Sequence, residues 1–183
     1  NKNENIGFIK GHMCSPAIAT QAEDLIAGGV KELIHVGYAG GLQPELVPGE
    51  IILTDGAFND TAVARLYGYD YDIIHSSKDL TNEIEEMITS AEILYKRGLH
   101  WTTDAGYRET WGQVMDYRDK GALCVEMEGV GLFTIANYRK CVATGIYVVF
   151  DVYLEDDWKL GWEGNDIKKA VGEIIDMIIK SIR

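Results

Sequence analysis

Cysteines and basic residues are scarce in this sequence, and long apolar runs are missing. The three cysteines, Cys14, Cys124 and Cys141, are odd in number and far apart, so free structural thiols are expected rather than disulfides. With 17 Lys and Arg against 29 Asp and Glu, the net charge is −12 with histidine neutral. Because such a field repels phosphate backbones and anionic lipid headgroups, neither nucleic acid nor a membrane surface is an expected partner. No apolar run approaches the roughly 20 residues that span a bilayer, which predicts a cytoplasmic protein.

The composition that remains is that of a packed globular protein. The 183 residues are 46% hydrophobic and 25% charged, with 20 Gly and only 3 Pro. A chain of this length buries a substantial core without disulfides or metal. Because no Pro/Ser-rich linker, low-complexity tract or internal repeat interrupts it, we predict a single domain over residues 1–183.

Short apolar runs alternate with amphipathic segments along the chain, which indicates strands that alternate with helices. The predicted helices cover 16–28, a segment that begins after Ser77 or Asp79 and closes near Gly98, and 167–178. The predicted strands cover 30–36, 51–53, 99–103, 122–127 and 142–150, with a turn at Gly37, Gly40 and Gly41. We therefore predict an α/β domain with one mixed, largely parallel sheet flanked by helices.

Three carboxylates follow apolar strands and are the first candidates for chemistry. Glu126 and Glu128 flank Met127 at the end of strand 122–127, and alternation along a strand points both to the same side. Such a pair binds a metal, shares a proton or accepts hydrogen bonds from a diol such as ribose, or else it is a charged strand end that faces solvent. Asp151 follows the most apolar strand, where open α/β sheets gather ligand groups, although aspartates in such places are also common as helix caps and turn residues.

Five segments together carry a resemblance to a known family. They are Met13-Cys14-Ser15-Pro16; Val36-Gly37-Tyr38-Ala39-Gly40-Gly41-Leu42; Pro48-Gly49-Glu50-Ile51; Thr103-Asp104 with Tyr107; and Val125-Glu126-Met127-Glu128-Gly129 followed by Asp151. In their order and spacing the chain resembles the purine nucleoside phosphorylase and uridine phosphorylase family, which also contains the methylthioadenosine and adenosylhomocysteine nucleosidases. The resemblance implies a nucleoside phosphorylase-like fold, and the Val-Glu-Met-Glu-Gly string is its most specific motif.

The resemblance implies a ribose site and two catalytic carboxylates. Glu128 matches the glutamate that binds ribose hydroxyls in the family, with Met127 packed under the sugar and Glu126 supporting the site. Asp151 matches the aspartate that hydrogen-bonds or protonates the leaving base, which requires a pKa raised by burial or by a neighbouring negative charge. Since uridine phosphorylases commonly lack this aspartate, its presence favours a purine. Glu128 and Asp151 are therefore the expected catalytic residues.

The phosphate site departs from the usual pattern of the family. His35 stands where phosphorylases usually carry an arginine, and Tyr38 replaces a small hydroxyl residue. In the first loop, His12 and Cys14 stand where glycine amides normally approach phosphate. The resemblance implies that phosphate is bound by His35, Gly37, Tyr38 and His12. From the residues alone, the favoured interpretation of His35 is instead a core histidine whose ring is satisfied by backbone groups.

The base site departs from the family as well. Gly106 sits where an aromatic residue often stacks on the base, so stacking falls to Tyr107 or Trp111. Arg108 and Glu109 either read the edges of the base or form an ion pair that faces solvent. The expected base-binding residues are Tyr107, Arg108 and the aspartate that follows the last apolar strand.

The function implied by the resemblance is that of a pentosyltransferase of nucleoside metabolism and purine salvage. It would cleave the N-glycosidic bond of a purine-type nucleoside with phosphate and give free base and ribose 1-phosphate. Phosphate is a co-substrate, and no cofactor or metal is expected, because no histidine lies at ligand spacing beside the carboxylates. A nucleosidase that uses water is one alternative, since hydrolytic relatives lack the arginine and share the Ala-Gly-Gly-Leu string at 39–42. A non-catalytic nucleoside-binding or storage relative is the other.

The sequence is also short at its N-terminus relative to the family. Family members begin with roughly one strand-helix unit more than precedes Gly11. A missing unit would leave a sheet edge open, in a naturally short relative, a fragment or an oligomer that covers the edge. Because active sites in this family lie near subunit contacts, a homo-oligomer is expected.

Overall fold

The structure is a computed structural model that describes residues 6–154, 158–160 and 164–181. Its helices are α1 (Ser15–Ala27), α2 (Val63–Leu66), α3 (Lys78–Ser90), α4 (Trp111–Asp119), α5 (Gly129–Arg139) and α6 (Asn165–Ser181). Its strands are β1 (Glu32–Gly41), β2 (Ile51–Asp60), β3 (Ile73–His75), β4 (Tyr95–Thr103), β5 (Cys124–Glu126), β6 (Val142–Tyr153) and β7 (Trp158–Leu160). In this part of the chain no helix is both long enough and apolar enough to cross a membrane.

The strands form one sheet in the order β3-β2-β4-β5-β1-β6-β7. β1 and β6, β2 and β4, and β4 and β5 run parallel, whereas β2 and β3, β1 and β5, and β6 and β7 run antiparallel. Residues 51–53 of β2 also pair antiparallel with residues 146–148 of β6, so β2, β4, β5, β1 and β6 close into a ring. The predicted mixed sheet with flanking helices is confirmed, and its closure into a ring is an additional feature.

Helices cover the sheet on two sides. α3 and α6 contribute Ile84 and Ile174 to a cluster with Leu53 of β2 and Ile146 of β6. The buried residues of α6 recur three or four positions apart, which gives the helix one apolar stripe. Each buried isoleucine stabilises the fold by about 1.5–3 kcal/mol relative to an exposed one. On the other side, α1 and α5 pack together in a cluster that includes Phe133.

The predicted glycine-rich turn is wrong, because Gly37, Gly40 and Gly41 lie inside β1. The absence of a side chain lets β1 approach β6 closely. A Cβ on Gly40 would fall 2.9 Å from Asp151 Oδ1, and a Cβ on Gly41 would fall 3.1 Å from Val152 Cγ2. These glycines therefore mark close strand packing rather than a chain reversal.

The predicted end of the second helix is also wrong. α3 ends at Ser90 rather than near Gly98, because Glu92 itself takes a left-handed backbone with φ of 56°. Gly98 instead lies inside β4, where a Cβ would fall 3.0 Å from Leu123 Cδ1.

Both segments that carry the candidate carboxylates differ from expectation. β5 ends at Glu126, so Glu128 is not a strand residue but directly precedes α5. Strand alternation therefore does not fix the directions of these two glutamates. β6 continues to Tyr153, so Asp151 lies inside the strand, where its backbone pairs with Gly40 of β1 and with β7.

Candidate active site

Two clusters of polar side chains near the end of β5 define the candidate site. The glutamate cluster is Cys14, Glu126 and Glu128. The tyrosine cluster is Glu109, Asp151 and Tyr153. Val125 Cγ1 lies 3.3 Å from the Cβ position of Gly40, next to Asp151 and Tyr153. Because neighbouring strand residues point to opposite faces, Glu126 faces the other way.

Glu126 is buried and is held by donors on every side. Its Oε1 lies 3.0 Å from His100 Nε2 and accepts a hydrogen bond from the Thr102 hydroxyl. Its Oε2 accepts the backbone N–H groups of Glu128 and Gly129, both at 2.8 Å. Burial by itself would raise the pKa of Glu126, but the charge and hydrogen bond of His100 outweigh it, and the pKa is lowered. Glu126 is therefore an ionised anchor for the first turn of α5 rather than a free ligand group.

Glu128 is only half-buried, and its Oε1 accepts a hydrogen bond from the backbone N–H of Cys14 at 2.7 Å. Burial and then the negative charge of Glu126 raise the pKa of Glu128 to about 7. Its carboxyl group therefore changes charge near neutral pH. Since one oxygen accepts from Cys14, further acceptor positions remain on the carboxylate.

Cys14 joins α1 to the glutamate cluster through a strained backbone. It precedes α1 with φ of 74° and ψ of 149°, a conformation that favours glycine. The next residue, Ser15, donates its hydroxyl to the carbonyl of Met127 at 3.0 Å. Burial, followed by the charges of Glu128 and Asp104, raises the pKa of the Cys14 thiol. The thiol is therefore neutral at physiological pH.

The tyrosine cluster places a second pair of carboxylates near Val125 of β5. The Tyr153 hydroxyl donates to Glu109 Oε2, and the Cβ position of Gly40 lies 2.9 Å from Asp151 Oδ1 and 3.1 Å from Tyr153 Cε2. Burial raises the pKa of Glu109, although the bond from Tyr153 opposes this. Of the two alternatives for Glu109, the solvent-facing ion pair is not the arrangement found.

Met127 lies next to both clusters. A Cβ on Gly106 would fall 3.5 Å from Glu109 Oε1 and 3.9 Å from Met127 Sδ. Met127 is also the residue between the two glutamates of the first cluster. The Met127 side chain and the Glu109 carboxylate therefore both lie close to Gly106.

The residues predicted to bind phosphate are only partly brought together. The His35 ring lies against Gly37, whose Cβ position is 3.1 Å from His35 Cε1, and meets Tyr147 edge-on with centroids 5.6 Å apart. Tyr38 lies on the opposite face of β1, exposed and packed on Phe150.

The two predicted histidines differ in their surroundings. His12 is exposed, and its backbone N–H donates to Gln21 at 2.9 Å. Burial lowers the pKa of His35, although the charge of Glu126 opposes this. Its Nδ1 is buried and has no hydrogen-bond partner among the residues that the structure describes. His35 is therefore a neutral ring at physiological pH rather than a replacement cation.

The residues predicted to bind the base are spread over the surface. Tyr107 and Arg108 are exposed in a short 3-10 turn at Gly106–Arg108. Trp111 packs under the guanidinium of Arg118, whose Cζ lies 5.4 Å from the centroid of the Trp111 ring. Of the expected base ligands, only Asp151 therefore belongs to either cluster.

Three further residues, His100, Thr102 and Tyr153, carry hydrogen bonds of the site but were not predicted from the sequence. The sequence predicts His100 and Thr102 only as residues of a strand, and Tyr153 lies beyond the predicted end of its strand. A polar residue inside an otherwise buried strand was the available signal for His100.

The chain belongs to the Phosphorylase superfamily, whose sequence model matches residues 5–180. It is 32% identical over 139 residues to a purine nucleoside phosphorylase DeoD-type of Exiguobacterium sibiricum, covering 74% of this chain and 59% of the relative. It is 33% identical over 156 residues to the protein of the same description from Caldanaerobacter subterraneus, covering 79% of this chain and 67% of the relative. The chain thus spans about three fifths of the length of the first of these relatives.

A solved structure shares the fold. It is described as the P. knowlesi homolog of P. falciparum PNP and superposes with a TM-score of 0.76 at 21% identity. The superposition covers 91% of this chain and 66% of the other. The resemblance found in the sequence motifs is thereby confirmed at the level of family and fold.

Proposed function

We propose that this protein cleaves the N-glycosidic bond of a purine nucleoside and transfers the ribose to phosphate, giving free base and ribose 1-phosphate. The observation that carries the proposal is Glu128, a half-buried carboxylate with open acceptor positions beside the anchored Glu126. Membership of the Phosphorylase superfamily and the described activity of the similar relatives support it.

Glu128 is suited to the sugar. In its ionised form a carboxylate accepts hydrogen bonds from two neighbouring hydroxyls, such as the 2′ and 3′ hydroxyls of ribose. Cleavage of the glycosidic bond builds positive charge on the sugar, and the negative charges of Glu126 and Glu128 stabilise it. Met127 lies between these two glutamates and offers the ring an apolar surface.

The tyrosine cluster is suited to the base, on which negative charge builds as the bond breaks. Asp151 is half-buried next to Tyr153 and is proposed to protonate the departing purine. Glu109, whose pKa burial raises, lies in the same cluster as a second carboxyl group for the base edge. Glu109 replaces the exposed Tyr107 and Arg108 in the proposed base site.

Hydrolysis is the second candidate, and two observations favour it. Cys14 carries a side chain where the family has a glycine amide facing phosphate, and the neutral His35 lacks the permanent charge of an arginine. In phosphorolysis, His35 contributes a hydrogen bond rather than a charge.

The test is base release from a panel of nucleosides, measured by chromatography in phosphate-free buffer and again with phosphate. Adenosine, inosine and guanosine represent purines, and uridine and cytidine are the pyrimidine controls. Base release from purines that requires phosphate is the expected result. Release that is equally fast without phosphate would replace phosphorolysis with hydrolysis. Binding without release of any base would leave a non-catalytic nucleoside-binding protein.

A further inference from the structure

His100 is completely buried and lies between two polar side chains inside the ring of strands. Its Nδ1 is 2.6 Å from the Thr54 hydroxyl and its Nε2 is 3.0 Å from Glu126 Oε1. The ring also packs against Tyr147, with centroids 4.8 Å apart, and edge-on against Phe133 at 6.1 Å. Packing and hydrogen bonds thus hold one orientation of the imidazole.

The donors around Glu126 decide which nitrogen of His100 carries a proton. The Thr102 hydroxyl and the N–H groups of Glu128 and Gly129 all donate to this carboxylate. A carboxylate held by such donors is an acceptor only, so His100 Nε2 must bring a hydrogen to it. The Thr54 hydroxyl, which receives the Gly56 N–H at 3.1 Å, then supplies its own hydrogen to Nδ1 or to the Gly56 carbonyl. Nε2 is protonated in either case.

We propose that His100 is a positioning residue for the ribose carboxylate, a role that rests on the proposed function. Its Nε2–H fixes Glu126, and Glu126 in turn holds the N–H groups of Glu128 and Gly129. The buried imidazole therefore fixes the position of the Glu128 backbone through Glu126. The imidazole and the start of α5 are closely packed, since a Cβ on Gly129 would fall 2.5 Å from His100 Nε2.

A nucleophilic role for the same residues is ruled out by access. Thr54, His100 and Glu126 follow the hydroxyl, imidazole and carboxylate order of a nucleophilic triad. The hydroxyl of a triad must reach its substrate, whereas Thr54 and His100 are both 0% exposed. His100 therefore does not act on the substrate directly but acts through its hydrogen bond to Glu126.

Three substitutions of His100 distinguish the role of Nε2 from that of Nδ1. His100→Gln places an amide N–H near the position of Nε2, His100→Asn places one near Nδ1, and His100→Leu has no donor. We expect kcat/KM for a purine ribonucleoside to fall about 10- to 100-fold in His100→Leu and His100→Asn, because a hydrogen bond to a buried charge is lost. In His100→Gln, kcat/KM should stay within about threefold of the wild-type value. The 2′,3′-dideoxynucleoside, which has no hydroxyls for Glu128, loses much less in every variant.

A second readout does not depend on catalysis. Amide hydrogen exchange at Glu128 and Gly129 should be at least tenfold faster in His100→Leu than in the wild type and unchanged in His100→Gln. Ile88→Ala, a buried change in another cluster, is the control for general loss of stability. In this variant, exchange at Glu128 and Gly129 should be no faster than global unfolding of the variant allows. Equal losses on the ribonucleoside and the dideoxynucleoside, or no rescue by His100→Gln in exchange or activity, overturn the proposal. If the wild type cleaves no nucleoside, the proposed function fails, and the exchange data alone decide the role of His100.

Discussion

Glu128 is the residue on which the proposed chemistry of the sugar depends. Its pKa of about 7 means that the carboxylate form dominates above neutral pH and the neutral form below it. Replacement by Gln keeps the shape but weakens acceptance from the ribose hydroxyls. We expect Glu128→Gln to lower kcat/KM for a ribonucleoside by about two orders of magnitude or more in steady-state assays. Glu45→Gln, a change at an exposed site, is the control and should have no effect.

The same residue predicts a pH dependence. As pH falls through about 7, Glu128 takes up a proton and loses one acceptor oxygen, so kcat/KM for the nucleoside at saturating phosphate should decline. The decline should be absent in Glu128→Gln, which has no proton to gain. A profile that is flat between pH 6 and 8 in the wild type, or identical in the variant, would contradict the role given to Glu128.

Asp151 predicts a dependence on the leaving group. Asn at this position still hydrogen-bonds a purine but has no acidic proton to give. Asp151→Asn should therefore cost about 100-fold or more in kcat for inosine. It should cost far less for 7-methylguanosine, whose base is already positively charged and departs without protonation. Equal losses on both nucleosides would make Asp151 a structural residue.

Cys14 predicts a gain in stability from a glycine. Its φ of 74° is strained for any residue with a Cβ, at a cost of about 1–3 kcal/mol. Because glycine in turn loses about 0.5–1 kcal/mol of chain entropy, Cys14→Gly should stabilise the fold by about 1 kcal/mol in urea denaturation. Cys141→Gly is the matched control at a backbone without positive φ and should destabilise. Similar losses in both variants would show that Cys14 is not strained.

Single residues of the site could be predicted only where the residues that act together lie close in sequence. The glutamates flanking Met127 are two positions apart, and the motif that contains them indicates the family. The partners of His100 are 46 and 26 positions away, and the partner of Glu109 is 44 positions away. These contacts exist because strands from distant parts of the chain meet, and local patterns do not encode that meeting.

At the scale of elements, amphipathic helices were predictable and buried ones were not. α1, α3 and α6 each have an apolar stripe that predicts a helix there, although α3 ends at Ser90 rather than near Gly98. α5 was missed, because its residues from Gly129 to Ala136 are all buried and leave no polar face. Short elements such as α2 and β3 hold too few residues for a period to show.

The contact between α1 and α5 predicts the cost of one added methyl group. A Cβ on Gly131 would fall 2.5 Å from the Ser15 carbonyl oxygen, so Gly131→Ala should push the helices apart and destabilise by about 1–3 kcal/mol in urea denaturation. Gly172→Ala in α6 meets no atom within 4 Å and should be neutral or stabilise by up to about 1 kcal/mol. Equal stability of the two variants would contradict close packing of α1 against α5 at Gly131.

At the scale of the whole molecule, the closure of the sheet creates the site. Thr54 lies just after residues 51–53, which pair with β6 to complete the ring, and its hydroxyl meets His100 of β4. The apolar periodicity predicted a sheet with flanking helices but could not give this closure, which joins segments about 95 positions apart. The polar core under Glu128 therefore follows from topology rather than from any single segment.

The most direct test of phosphorolysis is the identity of the group that receives the ribose. Purified protein incubated with inosine and inorganic phosphate can be followed by 31P NMR while hypoxanthine is measured in the same sample. The sugar 1-phosphate resonance should grow by one equivalent for each hypoxanthine released, and both should slow together in Glu128→Gln. Hypoxanthine release with an unchanged inorganic phosphate resonance and free ribose as the second product would contradict transfer to phosphate.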